Sequence, residues 1–114
     1  MNFNEYTIKD LSFICRTEGN ENMRLQLFTA CGIIEGIPVI KDDINDSNPN
    51  AYLPQMILFN MEDYKKEYGE NADTSNFILL QDVHIRNGNV ITNCPSMVVF
   101  LDRIIGYTIG SLDK

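Results

Sequence analysis

The stretch that decides the fold is residues 77–112, which read FILLQDVHIRNGNVITNCPSMVVFLDRIIGYTIGSL. Short apolar and β-branched runs are separated in it by Asn-Gly, Pro and Gly, the residues that typically end strands. The pattern predicts three antiparallel strands, over residues 77–85, about 97–101 and 104–111. Asn87-Gly88 predicts a type I′ hairpin turn, whose two central residues both take positive φ. Asp102-Arg103 predicts the tight connection between the last two strands.

Two more strands are predicted upstream, on either side of a glycine. Residues 24–31 alternate polar and apolar side chains at first, and residues 33–40 are mostly apolar. We expect a tight connection at Cys31-Gly32 between them. Gly36 predicts a bulge or sharp bend, because a residue without Cβ lets a strand curl. Pro38 has no N–H, so it should lie where its strand leaves the sheet.

Two helices are predicted outside these strands. Thr7-Ile8-Lys9-Asp10 resembles a capping box at the start of the first helix, and Gly19-Asn20 should end it. Its apolar face is expected to comprise Ile8, Leu11, Ile14 and Cys15. A strand over residues 11–15 is the alternative. Residues 51–68 combine apolar bulk with a charged face, which predicts a second helix with Gly69 as its C-cap.

These elements predict a single domain over residues 1–114, of mainly β (β-rich α+β) class. We expect a strongly bent five-stranded antiparallel sheet, or a small barrel formed by closing that sheet, with an N-terminal helix. The Asx-rich loop 41–50, the second helix and a polar loop at 70–76 form a helical insertion over residues 41–76. It lies between strands two and three and is much longer than a strand connection needs.

The composition narrows the classes of function. The formal net charge is −7, from 9 Lys and Arg against 16 Asp and Glu. An acidic surface repels phosphate, which argues against nucleic-acid binding through counterion release. Three cysteines far apart in sequence do not form a disulfide framework and fit a reducing compartment. No stretch approaches the roughly 18 apolar residues of a membrane span, and residues 1–5 do not resemble a secretory signal, so we expect a cytoplasmic protein.

Residues that could carry chemistry are few. His84 is the single histidine; alternation places it on the face of Asp82 and Arg86, with no nucleophile motif beside it, so we expect a structural role. A catalytic or ligand site there is the alternative, and it would need a pocket that holds His84 with a carboxylate. The loop at residues 42–48 lacks the glycine and glutamate of an EF-hand, and the cysteines lack zinc-site spacing. We therefore predict no enzyme activity, no metal and no cofactor.

The order strand, glycine, strand, excursion and three strands resembles the Sm-like small β-barrel family. Leu80-Gln81-Asp82 is similar to the Leu-x-Asp element of that family's third strand, and Asp102-Arg103-Ile104-Ile105-Gly106 to the Ile-Arg-Gly-type motif of its last strands. Where the family's uridine-binding loop has an Arg-Gly-Asn type triplet, this chain has Arg103-Ile104-Ile105. The resemblance implies a small Sm/SH3-like barrel and single-stranded RNA binding.

The same stretch also resembles the final part of the bacterial gas-vesicle accessory protein U family. That family has an aromatic-led apolar strand, a glycine turn, a proline-containing segment and an apolar strand with glycines. The corresponding residues here are Phe77 to Asp82, Asn87-Gly88, Cys94-Pro95 and Ile104 to Gly110. The resemblance implies a non-catalytic accessory role in an assembly, without a cofactor.

Apolar residues beyond those a single small sheet needs indicate an interface. Val98, Val99, Phe100 and Leu101 are apolar on both faces of their strand, so helices or a second subunit must cover the outer face. Tyr64 and Tyr68 add aromatic surface in the insertion, where a lid over the open end of the barrel is the alternative role. We predict that these six residues form the interface of a non-enzymatic interaction or assembly (accessory or scaffold) protein that forms homo-oligomers. The alternative function is that of an Sm-like single-stranded RNA-binding protein.

Overall fold

One antiparallel sheet and two helices make up the part of the chain that the computed structural model describes, residues 3–16, 23–45, 47–74 and 76–110. In chain order the helices and strands are α1 (Phe3–Cys15), β1 (Arg24–Thr29), β2 (Gly32–Pro38), α2 (Tyr52–Tyr68), β3 (Phe77–Asn87), β4 (Val90–Phe100) and β5 (Ile104–Gly110). Within these ranges, three 3₁₀ turns lie at Lys41–Asp43, Pro49–Ala51 and Leu101–Arg103. The predicted mainly β fold with an N-terminal helix and a helical insertion is therefore confirmed.

The sheet is open rather than closed into a barrel. Its strand order is β4-β3-β2-β1-β5, and every neighbouring pair is antiparallel. β5 returns to pair with β1, so β4 and β5 form opposite edges and do not pair with each other in the described residues. Of the two predicted architectures, the bent open sheet is the one that forms.

A bulge interrupts the regular pairing of β2 with β3. Glu35 and Ile37 are two residues apart in β2, but their partners His84 and Gln81 are three residues apart in β3. The extra residue is accommodated where Asp82 has φ of 51°, a left-handed conformation that aspartate tolerates better than most residues. This places an irregularity at the position where a bend was predicted.

The bulge changes which residues of β3 face the core. Ile78 and Leu80 are buried on one side of it, whereas Val83 and Ile85 pack into the core on the other. Gly36 lies opposite this point in β2, where an added Cβ would come within 3.0 Å of the Leu80 Cβ. The glycine therefore allows the close approach of β2 and β3 that the bend requires.

Helix α1 is longer than predicted. It begins at Phe3, so Thr7 lies inside the helix and the predicted capping box is wrong. The helix ends at Cys15, which makes the alternative strand over residues 11–15 wrong as well; Gly19-Asn20 lies outside the described residues. The predicted apolar face is confirmed for Ile8 and Cys15, which are buried, and for Leu11, which packs against the core, whereas Ile14 is only half-buried.

Helix α2 ends as predicted. Gly69 has φ of 105° and donates its N–H to the Lys65 carbonyl at 2.8 Å, which identifies it as the C-cap. Pro54 lies in the first turn, where the backbone N–H groups have no partner within the helix. Helix α2 thus covers residues 52–68 of the predicted segment 51–68.

The β3–β4 hairpin is present but differs from the prediction in turn type and in length. Asn87 pairs with Val90, so the central turn residues are Gly88 and Asn89. Only Gly88 has positive φ, at 62°, which fits a type II′ turn rather than type I′. β4 begins at Val90 instead of about residue 97, because an edge strand with one exposed side tolerates polar residues and Pro95.

The core lies between α1 and one face of the sheet. Its buried members come from α1, from strands β1 to β4 and from the 3₁₀ turn after β4: Ile8, Cys15, Leu25, Leu27, Ile34, Ile78, Leu80, Val83, Val99 and Leu101. α1 packs on β1, β2 and β5. In the described ranges, neither helix has the length and apolar character needed to cross a membrane.

Replacing Gly32 by alanine should destabilise the fold strongly. Gly32 has φ of 139°, and an added Cβ would collide with the carbonyl oxygen of Arg86 in β3. We expect the free energy of unfolding to fall by about 3 kcal/mol or more, measured by urea denaturation followed by circular dichroism. Gly110→Ala is the matched control, because open space surrounds that position, and it should change stability by less than about 0.5 kcal/mol. Similar losses in both variants would contradict this account of Gly32.

Candidate functional site

The six residues predicted as an interface separate into two groups in the structure. Val99 and Leu101 are buried in the core of the subunit. Val98 and Phe100 lie on the opposite, outer face of β4, where Val98 is half-buried and Phe100 is 52% exposed. The end of β4 is therefore apolar on both faces. Its inner face packs in the core, and only its outer face remains accessible to a partner.

Helix α2 covers this outer face incompletely. Between the helix and the ends of β3 and β4 lies an open groove of about 320 Å³. Its apolar lining comes from both sides: Ile57, Met61, Tyr64, Phe77, Val98 and Phe100. We call it the α2–β4 groove. It brings together three of the predicted interface residues, Tyr64, Val98 and Phe100.

Tyr68 extends the aromatic surface beside the groove. Its ring lies 4.8 Å from that of Tyr64 between centroids, with the planes inclined by 43°. Both side chains remain exposed, Tyr64 by 46% and Tyr68 by 66%. Tyr52, Met56 and Phe59 of α2 are also exposed; their spacing of four and three residues places them together on another face of the helix. The helix thus carries uncovered apolar surface on two sides.

A polar row crosses all five strands on the outer face, beyond the part that α2 covers. The cross-strand partners run from β4 to β5 in the order Asn93, His84, Glu35, Gln26 and Thr108. Sequence reasoning did not find this row, because each strand contributes a single polar residue. Only the register of the sheet places the five side by side.

Glu35 is the buried centre of that row, with a relative exposure of 1%. The Arg24 Nε lies 3.6 Å from Glu35 Oε1, and the Gln26 amide donates to Glu35 Oε2 at 3.4 Å. Arg24 also donates across β2 to Asp82, at 2.5 Å to its carboxylate and 2.9 Å to its carbonyl oxygen. One guanidinium therefore compensates a buried carboxylate and holds the left-handed residue of the bulge.

His84 sits at the rim of this cluster with 35% of its side chain exposed. Its Nδ1 lies 2.6 Å from the Asn93 side-chain oxygen, and its Nε2 lies 3.8 Å from Asp82 Oδ1. The ring therefore bridges β3 and β4 and gains an ion pair with Asp82 when protonated. This arrangement fits the structural role expected for His84.

The side chains of the acidic loop in the insertion form hydrogen bonds with other residues of the chain. Asp43 Oδ2 accepts from Arg16 at 2.7 Å, from the Ile40 N–H at 3.0 Å and from the Gln81 amide at 2.6 Å. Asn48 caps the following 3₁₀ turn by accepting from Asn50. The loop thus joins the residue that follows α1, the segment that follows β2 and strand β3. Within the described ranges, no three His, Cys, Asp or Glu side chains are grouped to hold a metal ion.

The cysteines differ in environment. Burial raises the pKa of the Cys15 thiol, which keeps it protonated and unreactive in the core. Cys31 is exposed in the β1–β2 turn, and Cys94 is half-buried in β4. All three are free thiols, consistent with a role as small apolar residues.

Comparisons of the chain with protein-family models, with curated proteins and with solved structures find no match. The resemblances to Sm-like barrels and to gas-vesicle accessory protein U therefore stay predictions.

Replacing Arg24 by methionine should destabilise the protein by leaving the Glu35 carboxylate buried without its cation. We expect the free energy of unfolding to fall by about 3 kcal/mol, measured by urea denaturation at pH 7. Adding Glu35→Gln should restore most of that loss, since the double variant buries no charge. A double variant as unstable as Arg24→Met would show that charge compensation is not the role of Arg24.

Stability should also fall in acid, because two carboxylates have lowered pKa values in the folded state. Burial raises the pKa of Asp43, but hydrogen bonds from Arg16, Ile40 and Gln81 and the Arg16 charge outweigh it and lower the pKa. The hydrogen bond from Arg24 lowers the pKa of Asp82.

A lowered folded-state pKa contributes stability that is fully present above the unfolded-state pKa and is lost as the pH falls through the folded value. We therefore expect the free energy of unfolding to be level near neutral pH and to decline below about pH 5. Asp43→Asn should be less stable at pH 7 and should decline less in acid, as measured by denaturation at several pH values. An acid decline equal to that of the unmodified chain would contradict this role of Asp43.

Proposed function

We propose that this chain is a non-enzymatic interaction and assembly protein that forms homo-oligomers. The observation that supports the proposal best is the α2–β4 groove, an open apolar surface where Tyr64, Val98 and Phe100 converge. Aromatic residues such as these are enriched in protein interfaces. An accessory role in a larger assembly, as the resemblance to gas-vesicle accessory protein U implies, is one form of this function.

The free edges of the sheet support a second copy as the partner. β4 and β5 each have one side without a strand neighbour in the described chain, and such edges readily accept another strand. Phe100 is exposed at the β4 edge, and Ile105 is 75% exposed at the β5 edge. Because the two edges lie at opposite ends of one sheet, β4 of one copy can pair with β5 of the next. Such a head-to-tail contact generates rings or filaments.

The charge distribution favours a protein partner over RNA. The net charge is −7, and the described structure already pairs Arg16 with Asp43 and Arg24 with Glu35 and Asp82. These guanidinium groups are therefore engaged by carboxylates of the chain itself. The Sm-like alternative predicts binding of oligo-uridine that weakens steeply as salt increases, and titration at two salt concentrations tests it. Salt-sensitive binding together with a monomeric chain would favour that alternative.

Charged substitutions at the two edges should each prevent oligomerisation. We expect Phe100→Lys and Ile105→Lys to convert the oligomer into monomers, because each places an uncompensated charge in an apolar contact. Both positions are at least half exposed, so folding should be retained. Tyr6→Lys is the control. Tyr6 lies on α1, and its exposed fraction of 66% falls between those of Phe100 and Ile105. Light scattering coupled to size-exclusion chromatography at micromolar concentrations provides the measurement.

Mixing the two edge variants tests the head-to-tail arrangement directly. Phe100→Lys retains an intact β5 edge and Ile105→Lys an intact β4 edge, so an equimolar mixture should form a heterodimer that neither variant forms alone. A mixture that stays monomeric contradicts the head-to-tail contact. An unmodified chain that is strictly monomeric at these concentrations contradicts homo-oligomerisation itself.

A further inference from the structure

The tip of the β3–β4 hairpin places an asparagine directly before a glycine on the surface of the protein. Asn87 and Val90 form the last pair of the hairpin, and Gly88 and Asn89 form the turn between them. All four residues are exposed. Because the regular pairing ends at Asn87 and Val90, the backbone nitrogen of Gly88 lies beyond the strand ladder.

The surroundings leave both groups accessible to each other and to water. The Asn87 side chain has no hydrogen bond to another described residue, whereas the side chains of Asn45, Asn48 and Asn93 are each engaged in one. Beyond its chain neighbours, no atom lies within 4 Å of the position that a Cβ of Gly88 would take. Asn87 therefore combines a free amide with an unhindered backbone nitrogen directly after it.

We propose that Asn87 is a modification site, where the chain converts asparagine to aspartate and iso-aspartate without an enzyme. The Gly88 nitrogen gives its proton to a solvent base and attacks Cγ of Asn87. A bond forms between that nitrogen and Cγ, the Cγ–Nδ2 bond breaks, and the amide leaves as ammonia. Water then adds to one of the two carbonyl groups of the resulting cyclic imide and opens it to one product or the other.

The position at the end of the hairpin makes this attack possible. Bringing Cγ to the next backbone nitrogen requires the last strand pair to open, and pairs at the end of a ladder open at a small cost in free energy. Either product adds one negative charge to a chain whose formal net charge is −7. Iso-aspartate also places an extra methylene in the main chain of the turn. The modification depends on the hairpin alone and is independent of the proposed oligomer contact.

Peptide mapping by mass spectrometry, after incubation of the full chain in mildly alkaline buffer, tests the proposal. Asn89 is the internal control, because it lies exposed in the same turn but precedes Val90, a β-branched residue that hinders attack. We expect Asn87 to convert at least about tenfold faster than Asn89, a difference of about 1.4 kcal/mol in the barrier. Labelling by an iso-aspartate-specific methyltransferase should identify part of the product. Absence of conversion at Asn87, or equal rates at the two positions, overturns the proposal.

The variant Gly88→Ala distinguishes attack by the Gly88 nitrogen from simple hydrolysis of an exposed amide. The added Cβ hinders the nitrogen, so conversion at Asn87 should slow by about tenfold. The same substitution strains the turn, because Gly88 has φ of 62°, and a looser turn would by itself speed the reaction. Slower conversion in a variant that circular dichroism shows to be folded supports the proposed route. Unchanged or faster conversion overturns it.

Discussion

The extra residue that β3 carries at Asp82, opposite Gly36, is the constraint on which the rest of the structure depends. It shifts the alternation of β3 by one position, so that Ile78 and Leu80 face the core on one side of the bulge and Val83 on the other. β4 follows the same shift, because its register with β3 continues without interruption through the bulge. Arg24 holds the bulge from β1 by hydrogen bonds to both the side chain and the carbonyl of Asp82.

This shift divides the outer face of the sheet into two unlike halves. One half is apolar, with Phe77, Val98 and Phe100, and it requires the cover that α2 supplies. The other half carries the polar row centred on Glu35, which is buried by its polar neighbours rather than by a helix. A single helix of seventeen residues covers only part of the apolar half. The α2–β4 groove is the direct consequence.

The long insertion between β2 and β3 has a structural explanation. Asp43 accepts hydrogen bonds from Arg16 directly after α1, from Ile40 in the segment after β2 and from Gln81 in β3, and this network positions the segment from which α2 begins. An insertion that places a helix over a sheet face also determines how much of that face stays exposed. The surfaces available to a partner are therefore set by the Asx-rich loop as much as by the helix it carries.

The sequence by itself determined the number of strands, their order along the chain, both helices and most of the apolar face of α1. These features follow from local periodicity and from the positions of Gly and Pro. It also indicated the bend at Gly36 and the two-sided apolar character of the residues from Val98 to Leu101. It did not reveal the first half of β4, because an edge strand with a polar exposed side lacks the apolar signal of a buried one.

Only the tertiary structure decided that the sheet stays open, that Val99 and Leu101 belong to the core, and that Arg24, Glu35 and Asp82 form one cluster. The polar row arises from the register of the strands, and the α2–β4 groove from the placement of α2. Both are set by contacts between residues far apart in the chain, on which local sequence patterns carry no information.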